Sequence, residues 1–423
     1  MDRTHLSERL PHIVGLKCVI CGAEYSLDDA EYTCPQCGDV GSLDVLYTEN
    51  SRKYAPEGPL TFWRQRDLLP LVGEPLPGLR ALGGTPLIPY DALTSLAAKV
   101  DVAGLCIKND GLNLTGSLKD RASAIVVNHA VQNLGKTVIA TASTGNAAAA
   151  LAGCCAAVDG AEAVIFVPAS APEAKIAQML IFGAKVVLVD GDYDTAFDLC
   201  TAACAEFGWY NRSTGINPFT TEGKKTVSFE IAEQLNWQMP EVIIVSVGDG
   251  SIIGGVHKGC TEMYNRGWID RVPRLIGVQA GGSDAMVYAW ENDISPAVMK
   301  PHPADTIADS ISSGLPRDRA KAMRAVRDTN GVFMRVSDDE ILDAIPTLAH
   351  YSGVFAEPAA SATFAAVQPA REAGYIQKND RVLLLITGNG LKDVKSAMQT
   401  VADRMPPNTA PTLDAIRDRV ANW

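Results

Sequence analysis

Glu241-Val242-Ile243-Ile244-Val245-Ser246-Val247 runs directly into Gly248-Asp249-Gly250-Ser251-Ile252-Ile253-Gly254-Gly255. The first part is β-branched and continuous, with no polar alternation. That pattern fits a strand covered on both faces, as in a parallel sheet. The glycines that follow let main-chain amides approach an anion where a helix begins. Five more apolar runs of this kind occur at 137–141, 163–168, 185–190, 274–278 and 381–387. Between them, segments 145–158, 173–182, 194–207 and 223–235 are rich in Ala, Leu, Glu and Lys with helical periodicity. Alternating strands and helices predict an α/β architecture on parallel sheets.

The remaining composition bounds the answer. A chain of 423 residues, 47% hydrophobic and 20% charged, predicts two or three soluble globular domains. Acidic residues outnumber basic ones 49 to 37, and the net charge of −12 argues against nucleic acid or an anionic membrane surface as partner. The opening Met1-Asp2-Arg3-Thr4-His5-Leu6 lacks the apolar core of a secretory signal, and no apolar run reaches membrane-spanning length, so the expectation is a cytoplasmic protein. Residues 50–90, with Pro56, Pro59, Pro70, Pro75, Pro77 and Pro86, read as a wrapped linker. At the other end, Leu413, Ile416 and Val420 predict an amphipathic helix over 411–423 that docks by its apolar face.

Ten cysteines divide into a spaced quartet and six others. Cys18-Val19-Ile20-Cys21 and Cys34-Pro35-Gln36-Cys37 are two knuckles, each followed by glycine, with the spacing of a tetrahedral zinc ribbon. Redox chemistry is the competing reading, although it normally needs one pair. Four thiolates leave no open coordination position, so a zinc here would be structural. Cys106, Cys154, Cys155, Cys200, Cys204 and Cys260 sit in apolar surroundings and read as packing residues.

Four segments carry chemistry. Asn113-Leu114-Thr115-Gly116-Ser117-Leu118-Lys119-Asp120-Arg121 puts a lysine at a probable helix start, where a low pKa would favour Schiff-base formation; the plainer reading is a solvated lysine paired with Asp120. Ser143-Thr144-Gly145-Asn146 follows a strand and opens an Ala-rich helix, which suits a carboxylate, or a simple helix cap. The Gly248 loop lacks both Gly-x-Gly-x-x-Gly and the Gly-Lys-Ser/Thr of a P-loop. Thr387-Gly388-Asn389-Gly390-Leu391-Lys392-Asp393 ends the last strand in a hydroxyl and two glycines. A lysine, an anion-binding helix start, a phosphate loop and a strand-end hydroxyl are together what a pyridoxal phosphate site requires.

On these segments the chain resembles the threonine synthase family of fold type II pyridoxal-phosphate enzymes, from Cys18 almost to the carboxyl end. The family's N-P-T-G-S-F-K-D-R stands here as residues 113–121, and Leu82-Gly83-Gly84-Thr85-Pro86-Leu87 is similar to its G-G-T-P-L segment. Ser143-Thr144-Gly145-Asn146 matches its S-x-G-N turn, and residues 387–393 match T-G-H-G-L-K-D except at Asn389. The resemblance implies a two-lobed, tryptophan synthase β-like fold: a ribbon-like segment over 1–50, a large cofactor-binding lobe from 51–118 and 208–423, and a small lobe over 119–207. It implies that Lys119 bonds the cofactor and then serves as general base. It assigns Asn146, Gly248, Asp249, Gly250, Ser251, Ile252 and Thr387 to pyridoxal 5'-phosphate, and Thr115, Ser117, Ser143, Thr144 and Gly145 to the substrate. A hydroxyl at Thr387, facing the pyridine nitrogen, would temper the electron sink and favour elimination and replacement over transamination. The implied activity is that of a carbon-oxygen lyase converting O-phosphohomoserine and water to threonine and phosphate, in a homodimer.

The chain departs from the family where the substrate's phosphate is expected. Family members read approximately N-S-x-N-P-Y-R-x-E-G-Q-K-T, whose Asn-Ser pair and arginine are expected to hold the phosphate, whereas here Thr214-Gly215-Ile216-Asn217-Pro218-Phe219-Thr220-Thr221-Glu222-Gly223-Lys224-Lys225-Thr226 has Thr214-Gly215 for the Asn-Ser pair and Thr220 for the arginine. Losing such donors predicts weaker phosphate binding, unless Lys224 or Lys225 compensates, and predicts that an arginine restored at 220 improves use of a phosphorylated substrate. The departure favours β-elimination or β-replacement on another amino acid, of the dehydratase, ammonia-lyase or cysteate synthase type. A non-catalytic binding protein is opposed by the intact Lys119, Asn146 and Thr387. A nicotinamide dehydrogenase is opposed by the missing dinucleotide fingerprint.

Overall fold

The apolar runs become strands of two parallel sheets. The computed structural model describes residues 5–49, 59–171 and 173–421. The first four residues, linker positions 50–58 with Pro56, and the last two residues of the expected terminal helix lie outside the described residues.

The chain begins with a small antiparallel sheet of β1 (Ile13–Cys18), β2 (Glu24–Tyr25), β3 (Thr33–Cys34) and β4 (Gly38–Tyr47), in the order β2-β1-β4-β3. Residues 59–90 then wrap the body in short turns, anchored by the buried Phe62, Trp63, Leu68 and Leu79. Trp63 also donates its Nε1 to the Leu79 carbonyl at 2.8 Å. A six-stranded sheet uses β5 (Leu87–Ile88), β6 (Gly104–Asn109), β11 (Val242–Ser246), β12 (Arg274–Ala280), β13 (Val332–Val336) and β14 (Arg381–Ile386). Its order is β13-β12-β11-β14-β6-β5, parallel except at the β5 edge. A four-stranded parallel sheet holds β7 (Val138–Ala142), β8 (Glu162–Pro168), β9 (Lys185–Val189) and β10 (Tyr210–Asn211), in the order β10-β7-β8-β9. Because Tyr210 pairs with Ile139, this smaller sheet takes in chain beyond residue 207.

Helices among the described residues include α1 (Lys119–Asn128), α2 (Asn146–Ala156), α3 (Glu173–Ile181), α4 (Tyr193–Phe207), α5 (Phe219–Gln234), α6 (Ser251–Asn265), α7 (Arg319–Asp328), α8 (Pro358–Ala365) and α9 (Leu413–Val420). Buried cores cover both faces of the six-stranded sheet: Leu105, Ile244 and Leu384 on one, Ile243, Val245 and Leu383 on the other. The expected terminal helix forms as α9, and its apolar face is not buried on this chain: Leu413, Ile416 and Val420 are 65%, 46% and 48% exposed. Its other positions carry Asp414, Arg417 and Arg419, so three residues are all the large apolar surface it offers.

β4 is stitched to the body by polar contacts along its length. Ser42 Oγ donates to Asp318 Oδ1 at 2.9 Å, Lys321 Nζ to the Leu43 carbonyl at 2.9 Å, and Arg324 Nη2 to Asp44 Oδ2 at 2.5 Å. Lys258 Nζ donates to the Val45 carbonyl at 2.6 Å and Tyr47 Oη to Glu222 Oε2 at 2.7 Å.

Candidate active site

Open parallel sheets gather ligands at the carboxyl ends of their strands, and the sequence segments converge there. β14 pairs with β6 in a register that sets Ile386 beside Asn109. Past those ends the lysine segment and the Thr387 segment run together: Leu118 N donates to Thr387 O at 2.9 Å and Asn389 N to Gly116 O at 3.0 Å. Lys119 therefore opens α1 beside Thr387.

A buried ion network fixes this corner. Arg121 donates to Asp110 Oδ2 at 2.6 Å and to both oxygens of Glu230 at 2.6 and 2.8 Å. Lys108 reaches Glu230 at 2.6 Å and the Thr85 carbonyl at 2.7 Å. Thr85 Oγ1 donates to Asp110 at 2.6 Å, and Gly84 N to Glu230 at 3.0 Å. Two cations thus balance two carboxylates and bind the Gly-Gly-Thr-Pro segment to the lysine helix. Asp120 is not the partner of Lys119. It accepts from Thr115 N at 2.7 Å and Thr115 Oγ1 at 2.6 Å, and burial pushes its carboxyl up to about 6.

Adjoining cavities meet at Lys119. A narrow one of about 40 Å³ is lined by Lys119, Lys224, Ser246, Gly248, Ser251 and Thr387 among others. A wider one of about 430 Å³ includes Lys119, Ser143, Thr144, Gly145, Asn146 and Arg317. Thr214, Asp249 and Ser310 line both. A third, of about 530 Å³, opens on the other side of Thr144, Gly145 and Asn146, against Lys175, Glu357 and Lys392.

The narrow cavity fits a phosphate. Gly250 has φ +87, and a Cβ on Gly248 would stand 2.9 Å from Ile311 Cα, so the loop requires glycine at both places. It leads into α6, whose first-turn amides lack intrahelical acceptors. Lys224 is fully buried and its Nζ is held by the Ser251 hydroxyl; Ser246 Oγ is buried with no partner. Neither Lys119, Lys224 nor Arg212 makes an ion pair with a carboxylate among the described residues. Burial lowers the pKa of all three, and Arg212 lowers those of both lysines further. Three cations with so little compensation suit an anionic ligand.

Asn146 Nδ2 donates to both oxygens of Glu357 at 3.0 Å. Glu357 is buried, and burial raises its pKa. Burial likewise raises that of Asp249, which accepts from Ser313 Oγ and Arg317 N at 3.3 Å. Gly145 N donates to Ser143 Oγ at 3.2 Å.

Of the residues singled out in the sequence, Lys119, Gly248, Asp249, Gly250, Ser251, Ile252 and Thr387 line the narrow cavity, and Ser143, Thr144, Gly145 and Asn146 the wide one. Thr115 and Ser117 line none of these cavities. The Thr115 hydroxyl is committed to Asp120, and Ser117, fully buried, makes an antiparallel bridge to Gly388. Lys225 turns away into ion pairs with Glu222 and Glu262, leaving Lys224 to face the loop. Sequence reasoning missed Glu357, Arg212, Ser310 and Arg317. For Glu357 a signal existed: Pro358 at the first position of an Ala-rich helix marks a helix start.

Apart from this site, the sulfurs of Cys18, Cys21, Cys34 and Cys37 lie within 4.8 Å of one another. Cys21 Sγ is 3.7 Å from Cys34 Sγ, close to the roughly 3.8 Å edge of a tetrahedron with ~2.3 Å zinc–sulfur bonds. The Tyr25 hydroxyl stands 3.2 Å from Cys34 Sγ as an outer partner.

Comparison with known proteins agrees with this geometry. Residues 79–388 match the family described as "Pyridoxal-phosphate dependent enzyme". The chain is 37% identical to the threonine synthase of Methanosarcina acetivorans over 96% of its length and 98% of that protein. It is 35% identical to the threonine synthase of Methanocaldococcus jannaschii over 90% and 94%. Among solved structures, maize serine racemase superposes with a TM-score of 0.64 at 22% identity, covering 77% of this chain and 93% of that one. Escherichia coli diaminopropionate ammonia lyase superposes with 0.65 at 18%, covering 79% and 95%; at such identities the likeness is one of fold.

Proposed function

We propose, from the premise that this chain belongs to the pyridoxal-phosphate-dependent enzymes of the threonine synthase type, that Lys119 and the groups around it convert O-phosphohomoserine and water to threonine and phosphate. The observation that carries the site assignment is the convergence on Lys119 of two cavities, one lined by Lys224, the Gly248 loop and Thr387 and the other by Ser143, Thr144, Gly145 and Asn146. The β-eliminating and ammonia-releasing alternatives draw only on fold-level likeness, whereas the threonine synthases match nearly the whole chain.

Pyridoxal phosphate, when bound, supplies an electron sink for carbanions at the substrate's Cα and Cβ. Gly248, Asp249, Gly250, Ser251, Ile252 and Lys224 would hold its phosphate, Asn146 its phenolic oxygen, and Thr387 its ring nitrogen. Lys119 would carry it covalently. Burial lowers the pKa of Lys119, against the pull of Glu357 and with the help of Arg212, which suits an amine that would take the proton from the substrate Cα and return it elsewhere on the carbon chain. Ser143, Thr144 and Gly145 would bind the substrate carboxylate at the start of α2, which fixes the Cα proton toward Lys119. Thr115 and Ser117 act from behind, holding the lysine segment in place.

The holoenzyme incubated with O-phosphohomoserine is expected to yield threonine and phosphate in equal amounts. Production of 2-oxo acid and ammonia alone would overturn the reading. Zinc held by Cys18, Cys21, Cys34 and Cys37 belongs to the same proposal, as a structural clamp on β4; metal analysis should give about one zinc per chain, lost in Cys34→Ser. The family resemblance further supports a cytoplasmic homodimer with the lobes divided near 50, 118 and 207. Sedimentation of the purified protein as a monomer would remove the dimer.

A further inference from the structure

We infer that the anionic group on the substrate side chain binds beside Thr214, with Arg317 donating to it directly and Arg212 acting beneath as a positioning residue for the Thr214 hydroxyl. This rests on the O-phosphohomoserine reading and locates the donors that Thr220 does not supply.

Arg212 has no exposed surface. Its Nε donates to Ser123 Oγ at 3.1 Å and its Nη1 to Thr214 Oγ1 at 3.1 Å, while Nη2 is buried without an acceptor. A guanidinium only donates, so the Thr214 oxygen is spent as an acceptor on Arg212 and its own hydrogen is directed elsewhere. Thr214 lines both cavities that meet at Lys119, so the direction left for that hydrogen is the ligand space. The charge behind the hydroxyl strengthens it as a donor.

Arg317 lines the same wide cavity, as do Ser310, Ser312 and Ser313. It lies against Thr214's neighbour: Gly215 has φ +79, and a Cβ there would stand 2.4 Å from Arg317 Cβ. Glycine at 215 thus brings the two halves of the site together. The Arg317 guanidinium lies over the Phe197 ring, 4.4 Å from its centroid, and pairs at 2.6 Å with Asp194, whose side chain is 74% exposed. So exposed a carboxylate is a weak competitor for a dianion that offers several oxygens at once. Asp249 opposes the ligand, but burial favours its protonated form and its Oδ1 accepts from Ser313 and the Arg317 amide.

The test uses the holoenzyme and two probes, 2-amino-5-phosphonopentanoate and norvaline, which share the amino-acid end and differ in the phosphonate; binding is read from the cofactor's absorbance. Wild type should prefer the phosphonate. Arg317→Gln should weaken phosphonate binding roughly 10- to 100-fold and leave norvaline within about twofold. Arg212→Gln and Thr214→Val should each weaken the phosphonate, and the double variant should be no worse than the poorer single one, since one acts through the other. Additive losses, equal losses for both probes, or an unchanged phosphonate affinity in Arg317→Gln would overturn the inference while wild-type preference stands. No phosphonate preference in wild type would overturn the phosphorylated-substrate reading itself. If Arg212→Gln does not fold, Arg212→Lys takes its place in the cycle with the same outcomes.

Discussion

Lys224→Met should leave the cofactor-free protein at least as stable as wild type and cut what the protein gains from its cofactor. Lys224 is fully buried, its amine is held by a single hydroxyl, and burial drives its pKa well below the ordinary value. Without an anion it is a buried polar group with poor compensation. Methionine keeps the length and volume and removes the charge, so the cofactor-free variant should be as stable as wild type or firmer by about 1–2 kcal/mol. With cofactor that advantage shrinks or disappears. Losing a charged hydrogen bond to the phosphate is worth roughly 1.5–3 kcal/mol, about 10- to 150-fold in dissociation constant. At a free cofactor concentration about 100 times the wild-type constant, binding stabilises wild type by about 2.7 kcal/mol. A variant bound about 30-fold more weakly would gain only about 0.9 kcal/mol from the same concentration. Urea denaturation of both proteins, with and without pyridoxal phosphate, reads all four stabilities. If the variant gains as much from cofactor as wild type does, Lys224 does not hold the phosphate.

Other expectations follow from neighbouring contacts. Arg121→Met leaves Asp110 and Glu230 with Lys108 as their only cation in the buried network, and should cost about 3–5 kcal/mol in urea denaturation. Burial and then Arg324 lower the pKa of His257 from 6.5 to about 4, so its contribution is intact above pH 6.5 and is lost as pH falls toward 4. That window amounts to about 3 kcal/mol, and His257→Leu should flatten the acid-side fall in urea midpoint. Thr220→Arg should not improve turnover of O-phosphohomoserine, contrary to what its alignment with the family implies. Thr220 is fully buried, its hydroxyl donating to the Asn217 carbonyl at 2.8 Å, and an arginine there overpacks the start of α5. A rate above wild type would refute this.

The sequence was legible where chemistry and periodicity are local. β7, β8, β9, β11, β12 and β14 all lie on the continuous apolar runs, within one or two residues at their ends. β6 was not legible, because Lys108 and Asn109 interrupt its apolar pattern; Lys108 serves the ion network, a long-range requirement, and Asn109 accepts from Gly111 N in the turn that follows. β13 was hidden by Arg335, whose charge is met by Asp284 and Glu291 on the surface. In the site, motifs that carry their own turn chemistry could be read directly. Arg212 and Arg317 could not, and for Glu357 the sequence marks only a helix start, since each gains its meaning from a partner elsewhere in the chain. Glu357, for example, sits 211 residues from Asn146. Lys224 and Lys225 look alike in sequence, and only helix rotation sends one to the loop and the other to Glu222.

The stitching of β4 bears on how the chain is made. The strand leaves the ribosome early, but Glu222, Lys258, Asp318, Lys321 and Arg324 are synthesised 175 to 280 residues later. At 5–20 residues per second that is a wait of roughly 10–60 s. During it Leu16, Cys18, Leu43 and Val45 of the amino-terminal sheet lack the body residues that complete their core, and the polar groups of β4 lack these later partners. A knot of four cysteines within that sheet would hold the strand in register until its partners arrive, so its earliest service falls in biogenesis, before any substrate is bound.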